Sequence, residues 1–363
     1  MSMKAQHVLI SLLSTGICNA SQKAWDAEQI DWVALEEAAL KNRVLPLLSH
    51  ALETLEIDPP VEMQNRIVAM RKQCFGEAMA HIAAAVRLCR NFHTHGIDVV
   101  CVKGVARAYE VYGKWDVRFT HDVDLLVRDR DYRGAAKVLT SSGYDAPISE
   151  ADDWWHDYLG ESPYLPVRAT GPTVDLHQKL HQPGTPALTN PGPLHEHHVM
   201  RSLGNFSLPM LDKRDAMMLT ANSFGKAIRS RQPWLLYAHE IAYARANDPE
   251  LTDRMLDDYA AQSGMSRLWH HAKTASDLVF GGAKSGQIEL PPHIDLDKPG
   301  LIPEPVFLYR SRLLWLWSEG SLLRPLRFVK EFLWVTLADI KHDLFAFRQR
   351  NQQSFKNIAH PRG

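Results

Sequence analysis

The chain has 363 residues, 45% of them hydrophobic and 23% charged, with a formal net charge of −1. It is long enough for two or three domains or one elaborated domain, and its balanced charge excludes a global basic field that would draw the whole surface to nucleic acid. The four cysteines, Cys18, Cys74, Cys89 and Cys101, show no Cys-x-x-Cys spacing, which predicts buried, reduced thiols in a cytoplasmic protein.

In chain order, the first element is the apolar-biased run in MSMKAQHVLISLLSTG. At about six residues it is short for the apolar region of a secretory leader, and DWVALEEAALKNRVLPLLSHAL follows with helical spacing. Residues from about 5 to 94 place apolar side chains at helical intervals, as in Trp32-Leu35-Ala39 and Ile82-Ala85-Leu88-Phe92, with a break at Asp58-Pro59-Pro60. A helical N-terminal region over 1–94 is the expectation.

The character of the chain then changes. The apolar run IDVVCV (97–102) leads into Lys103-Gly104, a helical GVARAYEVY (104–112) and the run HDVDLLV (121–127). This reads as strand, glycine turn, helix, strand. Gly104 allows a sharp turn and a close backbone approach, and the helix after it presents unpaired N–H groups toward an anion, with phosphate the obvious one. Because side chains on a strand alternate, Asp122 and Asp124 share one face while Val123, Leu125 and Val127 share the other. Two like charges side by side call for a cation or a shared proton, and a hard, oxygen-seeking cation such as Mg²⁺ is the natural partner. Further on, SPYLPVRATGPTVDLHQ (162–178) carries a Gly-Pro turn signal and then Val174-Asp175-Leu176-His177. It reads as a hairpin that brings Asp175 in as a third carboxylate, with His177 on the same face.

Lys103-Gly104, Tyr112, Arg118, Asp122-Val-Asp124-Leu-Leu-Val127, Gly143-Tyr144 and Val174-Asp175-Leu176-His177 together resemble an uncharacterised bacterial nucleotidyltransferase family of the polymerase-β-like superfamily. The resemblance is densest over about 95–180 and looser along much of the rest. It implies an α+β fold with a mixed sheet, helices on one side of it, and transfer of a nucleoside monophosphate from an NTP to an acceptor with two Mg²⁺ ions. By that resemblance Asp122 and Asp124 are the metal-binding pair and Asp175 is the third carboxylate, holding the metal that activates the acceptor or serving as its general base. Lys103, Gly104 and Arg118 fall to the nucleotide, with ion pairing to Asp122 or Asp116 as the other reading of Arg118. Where the best-known members of the superfamily carry Gly-Ser, this chain has Lys103-Gly104-Val105.

Past the core, the Pro/Gly/His-rich stretch 181–198 reads as a loop entering a second helical region. His195-Glu196-His197-His198 lacks the i,i+4 histidine pair of a zinc-binding helix and reads as a solvated loop or helix start. Asp212, three residues before Asp215, marks a helix start as a loose capping box. In Asn222-Ser223-Phe224-Gly225-Lys226, Lys226 matches a lysine that the resembled family carries on a helix facing the nucleotide, while that family's histidine is absent. Further helices fit 233–247, 250–263 and 265–280. The stretch 308–340 interleaves Trp315, Trp317, Phe328, Phe332 and Trp334 with arginines. Packing onto the helical domain is its favoured reading, with a membrane surface or a partner as the other. It holds no apolar run of the roughly 18 residues that a transmembrane helix needs.

The organisation expected is therefore a helical region 1–94, a catalytic core 95–180, a helical domain 181–300 and a tail 301–363. The expected activity is Mg²⁺-dependent nucleotidyl transfer to an unidentified small molecule, peptide or protein, or RNA. A non-catalytic binding or scaffold protein on the same fold is the alternative.

Overall fold

The computed structural model describes residues 3–14, 17, 27–146, 160–168, 171–180, 197–229 and 232–281. The 308–340 stretch and the whole of the expected tail lie outside the described residues, as do Cys18, His195 and Glu196. The remaining three cysteines, Cys74, Cys89 and Cys101, are free and buried.

Four helices precede the first strand: α1 (Met3–Ser14), α2 (Trp32–Lys41), α3 (Leu45–Thr54) and α4 (Val61–Thr94). The apolar N-terminal run is α1, and Leu9, Ile10, Leu12 and Leu13 are buried in the core. Asp31 caps α2 by accepting a 3.0 Å hydrogen bond from the Ala34 N–H, and Pro60 precedes α4, where the double proline was expected to break the chain. With 34 residues at about 1.5 Å each, α4 is about 50 Å long. That length lets one helix serve two cores. Its first turns bury Met63 and Ile67 among α1–α3, and its last turns bury Ile82, Ala85, Leu88 and Phe92 against the sheet.

The sheet follows as β1 (Val99–Cys101), α5 (Gly104–Tyr112), β2 (Asp122–Val127), α6 (Tyr132–Ser141), β3 (Tyr144–Asp145), β4 (Glu161–Pro166), β5 (Thr173–His177), β6 (His198–Leu203) and β7 (Phe206–Leu211). Its seven strands run in the order β3-β4-β5-β2-β1-β7-β6. β2 lies parallel to β5 and antiparallel to β1, which in turn lies parallel to β7. The sheet is mixed and the fold α+β, as expected. Four helices complete the described chain: α7 (Lys213–Arg229), α8 (Leu235–Asn247), α9 (Asp253–Gln262) and α10 (Ser266–Phe280).

Three expectations need correction. The stretch 181–198 leads into strands rather than a helical region, and His198 opens β6. Gly204, at φ +60°, and Asn205 form a two-residue hairpin loop between paired Leu203 and Phe206, so the sheet reaches past residue 180 to Leu211. Helices also lie on both faces of the sheet instead of one. Val99, Cys101, Val123, Leu125 and Val127 face α4 and α6, while Val100, Val102 and Leu126 pack on Ala216 and Leu219 of α7. Finally, only half of the capping box at α7 forms. Asp212 accepts from the Arg214 N–H at 2.8 Å, but the Asp215 carboxylate turns away to accept from Tyr259 Oη.

Two buried polar clusters fasten the helices to one another. Glu240 of α8, fully buried, accepts from Arg107 Nε of α5 at 3.1 Å and from Thr220 Oγ1 of α7 at 2.7 Å. Arg107 also donates to Glu110 at 2.7 Å. An Arg at this depth is tolerable only with such partners. The second cluster is His239, whose Nε2–H donates to the Leu13 carbonyl at 3.2 Å and whose Nδ1 accepts from the Tyr112 hydroxyl at 3.0 Å. These partners fix the neutral tautomer and join α1, α5 and α8.

Burial lowers the pKa of His239 to about 4. Its unfolded pKa is near 6.5, so above pH 6.5 the two states bind the same protons. Below that the unfolded state binds more, and stability falls until the folded group titrates near pH 4, a loss of about 3 kcal/mol over the window. Chemical denaturation of wild type and His239→Gln at pH 7 and pH 4.5 should show a stability drop in wild type that is smaller by about 2 kcal/mol in the variant.

Candidate active site

The alternation that buries Val123, Leu125 and Val127 on one face puts Asp122 and Asp124 on the other. The same holds one strand over, where Val174 and Leu176 face the core and Asp175 and His177 do not. Parallel pairing sets Asp124 directly beside Asp175. Neighbouring strands are about 4.8 Å apart, so the carboxylates are held together by the backbone itself. The expected three-aspartate cluster forms.

The turn from β1 into α5 closes over this cluster. Gly104 adopts φ +69°, and a Cβ there would sit 3.4 Å from the Asp122 carbonyl oxygen. Strain and closeness both favour glycine. Lys103, immediately before it, donates to Asp124 Oδ1 at 3.0 Å. His177 Nε2 lies 2.9 Å from that same oxygen, and its Nδ1 lies 3.2 Å from Glu161 Oε2 of β4. Lys103 is thus engaged with the carboxylate cluster, and His177 lies between two side-chain carboxylates.

Burial and charge then divide the carboxylates. Burial disfavours the Asp124 anion, but Lys103 and His177 outweigh it and hold the group well below the ordinary carboxylate range. Burial likewise opposes ionisation of Glu161, yet His177 brings it to about 2. His177, against burial and the nearby Lys103 charge, is raised by its two carboxylate partners, which favours the imidazolium. Asp175 has no such partner among the described residues: burial first, then the charges of Asp122 and Asp124, push it up to about 6. Asp122 is raised by burial and by Asp124.

Asp122, Asp124, Glu161 and Asp175 line a cavity of about 450 Å³ that extends from the carboxylates to α7 and α8, with Lys103, Gly104, Arg118 and Lys226 on its wall. All seven site residues expected from sequence therefore border one cavity. Arg118 pairs with neither Asp122 nor Asp116. Its Nη1 lies 3.5 Å from Glu240 Oε2, whereas Asp116 is taken by Arg71 at 2.7 Å and His50 at 2.9 Å. Thr120, Glu161 and Glu240 also line the cavity and belong to no motif. The buried Thr120 hydroxyl, Arg107 Nη2 and Arg118 Nε reach no hydrogen-bond partner among the described residues. Such atoms are costly unless a ligand meets them.

The donor set suits a divalent cation. One ligand atom each from Asp124, Asp175 and His177 falls within 4.8 Å of the others, but both His177 nitrogens face carboxylates, so the aspartates are the members of this group left to ligate. Lys103 and His177 both occupy Asp124 Oδ1, which leaves Oδ2 for a metal. The His195-Glu196-His197-His198 cluster makes no comparable site among the described residues: His197 pairs with Asp215 at 3.3 Å.

Residues 28–281 match the model of the family described as "Uncharacterised nucleotidyltransferase", and the chain belongs to that family. A solved structure similar to it is an antigenic nucleotidyltransferase-like protein from Paracoccidioides brasiliensis, at 15% identity and a TM-score of 0.34, covering 59% of this chain and 95% of that one. No curated protein matches. No helix among the described residues is long and apolar enough to cross a membrane.

The divided electrostatics predict opposite signs for two neighbouring substitutions without metal. Asp175→Asn removes a repelled charge and should raise stability at pH 7 by about 1–2 kcal/mol. Asp124→Asn leaves Lys103 and His177 uncompensated and should lower it by about 2–4 kcal/mol. Urea denaturation in EDTA measures both; equal signs would contradict the division.

Proposed function

We propose that this nucleotidyltransferase-family chain transfers a nucleoside monophosphate from an NTP to an acceptor hydroxyl or other nucleophile. The observation that carries the reading is the in-register pair Asp124 and Asp175, with Asp122 on the same face, at the base of a cavity beside the N-terminus of α5. Three carboxylates near one another and a helix N-terminus answer the two needs of phosphoryl chemistry, charge neutralisation and positioning.

Asp122, Asp124 and Asp175 would hold Mg²⁺, which when bound neutralises triphosphate charge and activates the attacking oxygen. Lys103 and His177 fix the Asp124 carboxylate through Oδ1. The α5 amides, Lys103, Arg118 and Lys226 orient the triphosphate, and the Thr120 hydroxyl supplies a further donor. Where Asp122 and Asp124 alone hold the metal, Asp175, pushed up to about 6, is instead the best proton acceptor of the three. The acceptor oxygen attacks the α-phosphorus, the bond to the bridging oxygen breaks, and pyrophosphate leaves. A cytoplasmic setting accords with the three buried, free thiols.

The test begins with melting of wild type against each of the four NTPs, with and without Mg²⁺. Ligand at about 100 times its dissociation constant stabilises by about 2.7 kcal/mol. One NTP should raise the melting temperature only with Mg²⁺, and Asp122→Asn, which leaves the Lys103–Asp124–His177 group intact, should abolish the rise. Metabolite and macromolecule fractions are then screened as acceptors by pyrophosphate release. Free nucleoside monophosphate would instead identify water as the acceptor and a phosphoesterase. No shift with any NTP would favour a binding or scaffold role.

A further inference from the structure

The cavity has a cationic contributor from outside the motif-bearing core. Arg43, between α2 and α3, lines it and is exposed at its rim. Its backbone is left-handed, with φ +57°. The Arg43 N–H bonds to the Leu40 carbonyl at 3.0 Å and the Val44 N–H to the Ala39 carbonyl at 2.9 Å, a helix C-terminal motif that ordinarily has glycine where Arg43 stands. That backbone does not by itself mark a site. Glu56 repeats it after α3, with φ +54° and Ile57 N–H bonded to Leu52 O at 3.0 Å, and does not line this cavity.

Charge separates the two positions. Among the cations of the cavity, Lys103 is held by Asp124, Arg107 by Glu240 and Glu110, and Arg118 by Glu240. Lys226 is near enough to Glu161 to help lower its pKa. Arg43 has no carboxylate partner among the described residues. Two cavity-lining groups, Arg107 and Thr120, each only 5% exposed, also hold an unpartnered donor. Unused donors at the wall and an unneutralised guanidinium at the rim suit a ligand rich in anionic oxygens, and a guanidinium fork matches phosphate in geometry as well as charge.

We infer that Arg43 is a substrate-binding residue that grips the β- and γ-phosphates of the nucleotide, the part that leaves as pyrophosphate. This rests on the nucleotidyl-transfer reading. The reacting α-phosphorus must lie at the carboxylates, which are more buried than Arg43, so a leaving group that extends outward along the cavity meets Arg43. The N-terminal helical region is then a part of the active site.

The test compares Arg43→Gly, Arg43→Lys and, as a backbone control, Glu56→Gly. Calorimetric binding is measured with the α,β-methylene analogue of each of the four NTPs and with the corresponding monophosphates, all with Mg²⁺. Glycine suits this backbone, so Arg43→Gly should melt no lower than wild type. It should bind the triphosphate analogue about tenfold or more weakly and the monophosphate within about twofold of wild type, with Arg43→Lys intermediate and Glu56→Gly unchanged. Unaltered analogue affinity in Arg43→Gly would overturn the role of Arg43 and leave the nucleotide site standing. Equal losses for triphosphate and monophosphate would overturn the assignment to the leaving group. Failure of wild type to bind any analogue would overturn the nucleotide reading, and this inference with it.

Discussion

The register of β2 against β5 is the constraint on which the site depends. Pairing Asp124 with Asp175 makes the backbone ladder hold two like charges at neighbouring positions, and no side-chain rotation fully separates them. The fold offsets that repulsion unevenly. Asp124 receives Lys103 and His177 on one oxygen, while Asp122 and Asp175 have no cation as a direct partner among the described residues. One carboxylate is locked as an anion and two remain in electrostatic tension, a tension that a divalent cation relieves. Sites that keep local rules unsatisfied in this way are where function is expected to lie.

That arrangement needs a rigid frame. The glycine turn at Gly104 and the nine-residue α5 behind it are anchored from below by Arg107, whose guanidinium spans Glu110 on its own helix and Glu240 on α8. Thr220 and Arg118 converge on the same Glu240 carboxylate. One buried carboxylate therefore sets the distance between the helical layer and the motif-bearing turn. His239, the residue beside it, reaches from α8 to Tyr112 and to the Leu13 carbonyl of α1. The walls of the cavity come from α7 and α8, its base from the sheet, and its rim in part from the loop after α2.

Much of this was legible in the sequence where local chemistry decides structure. Period-two alternation at HDVDLLV and TVDLH gave the shared face, Gly104 gave the turn, and the breaks at Pro59-Pro60 and Asp212 gave helix starts. What escaped was either quiet or distant. The β6–β7 hairpin had its signal in Gly204-Asn205, overshadowed by the Pro/Gly/His-rich stretch before it. Glu161 faces His177 only because β4 pairs antiparallel with β5, and nothing local to Glu161 announces it. The other reading of Arg118 paired it with a nearby aspartate, but folding brings it to Glu240, a partner that no spacing rule identifies.

Lys103 shows how the departure from Gly-Ser is accommodated. A serine at that turn offers a hydroxyl to phosphate and no charge; a lysine brings a cation to the carboxylate cluster itself. Here the ammonium sits on Asp124 Oδ1, buried enough that desolvation works against it, and the neighbouring carboxylates still keep it charged. Its first task is to hold the Asp124 carboxylate in place. On the proposed reading, phosphate at this turn would meet the α5 amides beside the Lys103 ammonium, with further charge from Arg118, Lys226 and the rim. On that reading, a nucleotide site built on Lys-Gly would depend on cations spread around the cavity, including one from the N-terminal helices.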